Sequence, residues 1–274
     1  MSIVTCPNCK FLLFPFENTF KCQNGHSFDF SKDGYINLLL ANQKKKNNPG
    51  DNKIMLNARN EFLSQGYYDF LIKNIESMTK SVGFFSTALD VEYYLLDLGC
   101  GTGYYTRNIF KGKRFKKIGI DISKIGLAKA SKIDKDSLYI VGSAFNLPIK
   151  DNSIDLLLNV FSPINLQELK RILKPGGYYI KVIPTGDHMK QVAELVYDDF
   201  IPHQSSIQKD FKSDTTFQIL KVETVKKTIF LADKDLLNFI SMTPYLYKFK
   251  QDQLASLKEL SVTISFEIIM WKYK

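Results

Sequence analysis

Four side chains that can bind a metal ion lie within the first thirty residues of the sequence. Two residues separate Cys6 from Cys9, and three separate Cys22 from His26. Paired sulfur and nitrogen ligands at such short spacings are typical of tetrahedral Zn²⁺ sites, and a complete set of four leaves no coordination position for a reactive water. The spacing therefore predicts one structural zinc ion held by these four side chains. Unrelated reduced cysteines are the alternative interpretation.

A glycine-rich segment could hold a nucleotide-like ligand. The apolar run Tyr93–Leu98 leads directly into Gly99-Cys100-Gly101-Thr102-Gly103, and a helix is predicted from Tyr104. Glycines at such a turn allow positive φ and a close approach of ligand to backbone. The amides at the start of the following helix favour negative ligand groups. By itself this motif is weak, because several nucleotide-binding folds use a close relative of it.

Two carboxylates stand where a nucleotide site would need them. Asp97 lies two residues before the first glycine, and Asp121 ends the next predicted strand, Lys117–Ile120. A carboxylate at the tip of that second strand can hold the two ribose hydroxyls of an adenosine ligand. We therefore expect Asp97, Gly99 and Asp121 to belong to the cofactor site.

The middle of the chain alternates between predicted strands and helices. Further strands are expected at Leu138–Ala144, Ile154–Phe161 and Tyr178–Pro184, with a helix over Asn165–Leu173 and a turn at Lys174–Gly177. Such alternation predicts an α/β fold with a Rossmann-like, doubly wound, mostly parallel sheet, and places the ligand at the carboxyl ends of the strands.

Elements that would position these residues are also predicted on both sides of this region. Two helices are expected before it, over Lys53–Ser64 with Asp51 as its cap, and over Tyr68–Thr79. After it we expect a helix at Met189–Asp199, strand-like patches in Phe211–Leu231, a helix at Asp235–Met242 and a strand at Val262–Trp271. The last segments should complete the sheet and wall the substrate pocket.

The composition limits the classes of function. The 274 residues carry 37 basic and 28 acidic side chains, a formal charge of +9, and residues 1–60 carry a net +4. A basic chain favours polyanionic partners such as RNA. No apolar run approaches the ~18–20 residues that span a bilayer. The first residues do not resemble a signal peptide. We expect a cytoplasmic protein, in which cysteines are metal-binding or redox residues before they are disulfide partners.

The motifs taken together resemble a known superfamily. The set Asp97–Gly103 (DLGCGTG), Ile120-Asp121, Asp151 and Leu173–Gly177 (LKPGG) is similar to the class I S-adenosylmethionine-dependent methyltransferases. The resemblance implies S-adenosylmethionine as the cofactor. It also implies a class I methyltransferase domain joined to a small N-terminal zinc-binding domain.

A narrower resemblance covers nearly the whole chain. The head CPNC…CQNGH, the segments KDGYINL (32–38) and NPGD (48–51), TGDH (185–188), MTP (242–244) and Trp271 are similar to the bacterial 23S rRNA (guanine-N1)-methyltransferases. That family joins a zinc module to a methyltransferase domain and methylates N1 of a guanine in an rRNA hairpin. The implied division is a zinc module at 1–35, a linker with bridging helices at 36–90, and the methyltransferase domain at 91–274.

The family resemblance also implies site residues. Its cofactor contacts correspond here to Tyr68, Gly101, Thr102 and His188, with Thr102 standing where the family commonly has Glu. We expect Asn159 to touch the cofactor, and Phe161 or Pro163 to wall the target base.

The chemistry needs a group that accepts the guanine N1 proton. Asp187 and Asp51 are the candidates, on their loop positions alone, and the catalytic base is otherwise unknown. Two other functions stay open: methylation of a small molecule, and a non-catalytic zinc-stabilised RNA-binding protein. The sequence also leaves open a homodimer, and it does not say which guanine is modified or whether this affects macrolide resistance.

Overall fold

The structure, a computed structural model, describes residues 2–41, 52–84, 91–112, 115–198 and 214–274. Within these ranges the chain forms a small three-stranded antiparallel sheet and a large eight-stranded sheet. The small sheet, called the ribbon below together with the turns around it (residues 2–35), contains β1 (Leu13–Phe16), β2 (Thr19–Cys22) and β3 (Ser27–Asp29).

The large sheet begins with a strand of only two residues, β4 (Ile36–Asn37). Its other strands are β5 (Tyr93–Leu98), β6 (Phe115–Asp121), β7 (Leu138–Val141), β8 (Ile154–Val160), β9 (Leu173–Pro184), β10 (Phe217–Ala232) and β11 (Glu259–Tyr273). The helices are α1 (Lys53–Ser64), α2 (Asp69–Ser81), α3 (Tyr104–Asn108), α4 (Lys124–Ile133), α5 (Leu166–Ile172), α6 (Lys190–Glu194), α7 (Asp233–Ser241) and α8 (Gln251–Ser256), with a 3₁₀ helix at Pro244–Tyr247.

The strand order in the large sheet is β10-β11-β9-β8-β5-β6-β7-β4. The strands from β9 to β4 run parallel, whereas β11 is antiparallel to both of its neighbours. The chain proceeds from β5 to one side and then returns to β8 on the other side. The carboxyl ends of β5 and β8 therefore flank the crevice in which such sheets bind ligands. The predicted α/β, doubly wound, mostly parallel fold is confirmed.

Most elements begin and end near the predicted residues, and the differences have local causes. The side chain of Asn52 accepts a hydrogen bond from the Met55 amide at 2.9 Å and caps α1. The predicted cap, Asp51, lies outside the described residues. Helix α2 begins at Asp69, one residue after Tyr68, which occupies the position before the helix.

The predicted turn at Lys174–Gly177 is an irregularity within β9. Ile154 on β8 pairs with Leu173, whereas Leu156 pairs with Tyr178. Four residues of β9 therefore stand opposite a single residue of β8, and Gly176 supplies the positive φ of 81° in this bulge. The helix α5 is thereby joined to its strand without a separate loop.

The ribbon is attached to the large sheet by backbone hydrogen bonds and by a shared core. Val4 forms an antiparallel bridge with Ile149, and the amide of Thr5 donates to the carbonyl of Pro148 at 2.9 Å. Leu13 and Phe20 of the ribbon are buried in the same apolar cluster as residues of the large sheet. β4 begins the segment predicted as a linker and pairs with β7. The ribbon is thus held beside the loop that follows β7.

None of the helices in the described ranges has the length and apolar composition needed to cross a bilayer.

Candidate functional site

The four predicted metal ligands meet in the ribbon. The ligand atoms of Cys6, Cys9, Cys22 and His26 all lie within 4.8 Å of one another. Cys9 Sγ is 3.6 Å from Cys22 Sγ, and His26 Nδ1 is 3.6 Å from Cys6 Sγ and 3.4 Å from Cys22 Sγ.

These distances match the edges of a zinc tetrahedron. With zinc–sulfur bonds of about 2.3 Å and zinc–nitrogen bonds of about 2.05 Å, tetrahedral angles place two sulfurs about 3.8 Å apart and a sulfur and a nitrogen about 3.6 Å apart. The donor set therefore fits one Zn²⁺ ion with all four positions filled by protein, which is the structural kind of site. When bound, the ion would hold the two turns of the ribbon together.

Each pair of ligands lies on a tight turn that the local sequence allows. The amide of Lys10 donates to the Cys6 carbonyl at 2.8 Å, and the amide of Gly25 donates to the Cys22 carbonyl at 3.0 Å. Lys10 and Gly25 both adopt positive φ, at 64° and 79°. The second turn therefore has glycine where the backbone favours it.

A second site lies at the carboxyl ends of β5, β6, β7 and β8. There a cavity of about 430 Å³ opens beside the glycine-rich loop. It is lined by the ends of these strands and by α1, α3 and the segment after α7. Of the predicted cofactor residues, those that line it are Tyr68, Gly99, Gly101, Thr102, Asp121 and His188.

The glycine-rich loop approaches its surroundings closely at one point and leaves open space at another. A Cβ added to Gly99 would lie 2.3 Å from the Cβ of Ser162, so the loop packs directly against the end of β8. A Cβ added to Gly101 would meet nothing within 4 Å, although Gly101 lines the cavity. Only glycine at position 101 keeps this backbone accessible to a ligand.

Asp121 holds the loop from the tip of β6. One oxygen of its carboxylate accepts the amide of Gly101 at 2.8 Å, and the other accepts the amide of Ser123 at 2.7 Å. Each carboxylate oxygen has a second lone pair, so hydroxyl groups of a ligand can still donate to it.

Asp97 lies behind the loop and does not line the cavity. It is buried, and its carboxylate accepts the hydroxyl of Thr106 at 2.5 Å. Burial raises the pKa of the Asp97 carboxyl to about 7, and the nearby Asp121 charge adds to this effect. Through this bond the end of β5 is tied to α3, so Asp97 positions the loop between them.

His188 contributes a neutral ring to the cavity wall. Burial lowers the pKa of His188 to about 4. Its Nδ1 accepts the amide of Ser265 at 3.3 Å, so in the neutral ring the proton lies on Nε2. The ring lies 4.7 Å from that of Phe266, which also contacts Tyr68 at 5.2 Å between ring centroids.

Phe161 has an unusual conformation at the end of β8. Its φ is +60°, which bulky side chains rarely adopt. The side chain lines the cavity, is 46% exposed and lies 5.0 Å from Phe266 between ring centroids. Pro163 lines the same wall. Backbone strain of this kind is found mainly at functional sites.

The structure adds a residue that the sequence interpretation missed. Arg59 of α1 lines the cavity, and its guanidinium donates to the Met242 carbonyl at 3.0 Å. Arg59 and Asp121 are the only lining residues within the described ranges with a formal charge at neutral pH. The sequence does contain an indication of this role. Arg59 lies between Leu56 and Leu63, on a helix face that is otherwise apolar and where a charged side chain is unexpected.

Two more of the predicted residues, Asn159 and Asp187, do not line the cavity. Asn159 is buried, with its amide donating to the Pro163 carbonyl at 3.4 Å and its Oδ1 buried without a hydrogen-bond partner in the described chain. Asp187 is exposed and paired with Lys226 at 2.7 Å. This hydrogen bond lowers the pKa of Asp187 and makes it a weaker base. Asp51 lies outside the described residues.

The cavity fits S-adenosylmethionine on several observations. Its volume lies in the range of small-molecule sites. The carboxylate of Asp121 can accept hydrogen bonds from ligand hydroxyl groups, and the guanidinium of Arg59 can pair with a ligand carboxylate. Gly101 leaves open space for the ligand beside the backbone. The hydroxyl of Tyr105, another lining residue, is buried without a hydrogen-bond partner in the described chain, so a ligand atom could satisfy it.

Comparisons with known proteins agree with both sites. Residues 96–181 match the family described as "Methyltransferase domain", and residues 4–47 match the family described as "RlmA, N-terminal", a zinc ribbon. A solved structure from Galdieria sulphuraria, provisionally named a sarcosine dimethylglycine methyltransferase, is 15% identical with a TM-score of 0.50, and the match covers 76% of this chain and 87% of that one. This last likeness shows the fold alone.

Two curated relatives match almost from end to end. The 23S rRNA (guanine(748)-N(1))-methyltransferase of Streptomyces fradiae is 25% identical over 272 residues, which cover 96% of this chain and 95% of the relative. YxjB of Bacillus subtilis, provisionally named a 23S rRNA (guanine-N(1)-)-methyltransferase, is 27% identical over 261 residues, covering 90% and 88%.

Fold and sites together define a class I S-adenosylmethionine-dependent methyltransferase with an N-terminal zinc ribbon. Within that class, the chain is similar over almost its whole length to 23S rRNA (guanine-N1)-methyltransferases. The predicted resemblance to these enzymes, S-adenosylmethionine as the cofactor and one structural zinc ion are confirmed.

The zinc site can be tested by metal content. Cys6→Ser should lose its zinc, because a serine hydroxyl stays protonated at neutral pH and cannot replace a thiolate. The midpoint of thermal unfolding should fall as well. Metal analysis of the purified variant checks this, with Cys100→Ser as a matched control that keeps its zinc, since Cys100 lies in the glycine loop. Retention of zinc by the Cys6 variant would contradict the four-ligand site.

The buried His188 predicts a pH dependence of stability. Between pH 6.5 and about 4 the unfolded chain binds a proton at this side chain that the folded chain does not. Stability present above pH 6.5 is therefore lost as the pH falls, by up to about 1.4 kcal/mol per pH unit. Denaturant unfolding of the parent and of His188→Asn should show a shallower pH slope in the variant. Equal slopes, or an NMR titration of His188 near pH 6.5, would refute this.

Proposed function

We propose that this protein transfers a methyl group from S-adenosylmethionine to N1 of a guanine in a hairpin loop of 23S rRNA. One observation carries the proposal beyond methyl transfer in general. The ribbon is fixed to the segment after β7, where Lys10 donates to the Asn146 side chain at 2.7 Å, and the preceding residues Ser143, Ala144 and Phe145 line the cavity. A polymer bound by the ribbon would therefore lie next to the methyl donor.

In this proposal the two charged lining residues recognise opposite ends of the cofactor. Asp121 accepts hydrogen bonds from the ribose hydroxyls, as expected for a carboxylate at this strand tip. Arg59 pairs with the carboxylate of the amino-acid tail. Between Asp121 and Arg59, the cofactor would lie along the loop residues Gly99, Gly101 and Thr102. The opposite wall of the cavity is formed by Tyr68 and His188. When bound, the cofactor supplies a methyl carbon attached to positively charged sulfur.

The target guanine stacks against Phe161 and Pro163. N1 of a paired guanine is occupied by a Watson–Crick hydrogen bond, so the base must be unpaired or extruded before it can react. A half-exposed aromatic ring at the mouth of the cavity offers a surface for such a base. The positive φ of Phe161 and its contact with Phe266 orient this ring, which supports in-line geometry between N1 and the methyl carbon.

The proton on guanine N1 needs an acceptor. Asp187 is a poor candidate by position, since it lies outside the cavity lining and is held by Lys226. Asp51 stays a candidate, because it directly precedes Asn52, the cap of α1, and α1 supplies three lining residues. His188 has the opposite role in this proposal: its Nε2 proton donates a hydrogen bond to an oxygen in the pocket.

In a homodimer, the ribbon of the second copy would add RNA contacts. The proposed substrate is ribosomal RNA, so the protein would act in the cytoplasm.

The activity is tested by mapping methylation on the purified RNA. Zinc-loaded protein is incubated with S-adenosylmethionine and protein-free 23S rRNA, and primer extension then reads the RNA. Methylation at N1 blocks Watson–Crick pairing, so one new stop should appear at one guanine. A reaction without S-adenosylmethionine should show none. Methyl transfer to small molecules with no stop on 23S rRNA would overturn the proposal.

The role of Arg59 is tested by binding of S-adenosylhomocysteine, measured by calorimetry. Loss of a charge-assisted bond of about 1.5–3 kcal/mol should weaken binding to Arg59→Gln about tenfold to a hundredfold. Affinity for 5′-methylthioadenosine, which lacks the amino-acid tail, should stay within about twofold, because that ligand has no carboxylate to lose.

Lys53→Gln is the matched control. Lys53 is an exposed cation on the same helix and does not line the cavity. This variant should bind both ligands like the parent. Equal weakening of both ligands by Arg59→Gln would assign Arg59 a structural role only.

A further inference from the structure

The ribbon has one face in the core and one in solvent. In a β-strand, alternate side chains point to opposite faces. Leu13 of β1 and Phe20 and Cys22 of β2 are buried against the large sheet. On the opposite face, Phe14 and Phe16 are each 52% exposed. This exposed surface is called the outer ribbon face below.

A lysine lies on the same face as the two aromatic rings. Lys21 pairs with Phe14 across the β1–β2 ladder, and its ammonium lies 3.9 Å from the centroid of the Phe16 ring. The outer ribbon face is thus formed by two rings and a cation, defined by Phe14, Phe16 and Lys21. Aromatic rings with an adjacent cation are the combination that binds unpaired nucleobases in single-stranded nucleic acid sites.

The charge of the ribbon does not favour recognition of phosphates. Residues 2–35 carry three lysines and three carboxylates, and three thiolates with Zn²⁺ add one negative charge. The net +4 of residues 1–60 therefore comes entirely from residues 36–60. Because long-range attraction to a phosphate backbone needs net positive charge, the ribbon itself must contribute another kind of contact.

Exposed aromatic residues also flank the hydrogen bond that joins the ribbon to the loop beside the cavity. The hydrogen bond between Lys10 and Asn146 links the first metal turn to the loop after β7. Phe11 follows Lys10 and is 45% exposed, and Phe145 precedes Asn146, is 60% exposed and lines the cavity. Exposed rings therefore occur on both sides of the junction between ribbon and cavity.

We infer that the outer ribbon face stacks unpaired RNA bases next to the target guanine. This inference rests on the proposed function and specifies how the ribbon acts in it. Bases flanking the target lie on Phe14 and Phe16, and Lys21 contacts the strand between them. Phe11 and Phe145 continue the surface toward the cavity. The ribbon thus recognises the single-stranded part of the RNA.

The test compares variants of the full-length, zinc-loaded protein. Fluorescence anisotropy measures binding of a labelled 12-nucleotide single-stranded RNA and of a 12-base-pair RNA duplex. Replacing both Phe14 and Phe16 by alanine should weaken binding of the single strand about tenfold or more, because stacking contributes substantially for each base. Duplex binding should stay within about twofold. The slope of log affinity for the single strand against log salt concentration should be unchanged, since no phosphate contact is lost.

Two further variants separate stacking from a general loss of structure. Tyrosine at both positions should preserve single-strand binding within about twofold, because the ring faces remain. Phe230→Ala is the matched control: Phe230 is 60% exposed on β10, at the opposite edge of the sheet from the ribbon. It should bind RNA like the parent. Zinc content and affinity for S-adenosylhomocysteine should be unchanged in all variants.

Three outcomes would overturn the inference. The first is equal single-strand affinity of parent and alanine variant. The second is equal loss for single strand and duplex. The third is sedimentation showing a dimeric parent that becomes monomeric in the alanine variant, which would assign the face to a second copy of the chain. If the parent methylates 23S rRNA and the alanine variant does so with the same KM, the inference fails while the proposed function stands. If the parent leaves no stop on 23S rRNA, the proposed function fails by itself.

Discussion

The docking of the first residues of the ribbon onto the loop after β7 is the contact on which the rest of the structure depends. The bridge between Val4 and Ile149 and the hydrogen bond from Thr5 to Pro148 use backbone groups, so side-chain changes affect them little. Leu13 and Phe20 then bury the inner ribbon face in the core of the large sheet. A metal-stabilised module too small to fold alone thereby gains a fixed position beside the cofactor cavity.

The glycine-rich loop shows how the sheet turns a sequence motif into a binding site. Asp121 accepts two amides from the loop and from the start of α4, and the buried Asp97 ties β5 to α3 through Thr106. These two carboxylates have different roles although both belong to the motif. Asp121 faces the cavity, whereas Asp97 holds the backbone behind it.

The electrostatics of the cavity suit a cofactor that carries charges of both signs. Arg59 and Asp121 provide one charge of each sign, and burial keeps His188 neutral. A neutral ring adds no positive charge to the cavity wall, whereas an imidazolium would repel a positively charged ligand there. Tyr68 and Phe161 line the same space, and Phe266 packs against both of them.

The sequence by itself determined the metal ligands, the alternation of strands and helices, and the glycine loop with Asp121. These features depend on local spacing and on the periodicity of apolar residues, and both can be recognised in a sequence without knowing which distant segments are in contact. Only the tertiary structure decided that Arg59 enters the cavity, that Asp97, Asn159 and Asp187 lie outside its lining, and that the ribbon shares a core with the sheet. Each of these facts is a contact between segments far apart in the chain, and a linear pattern does not specify which faces meet when the chain packs.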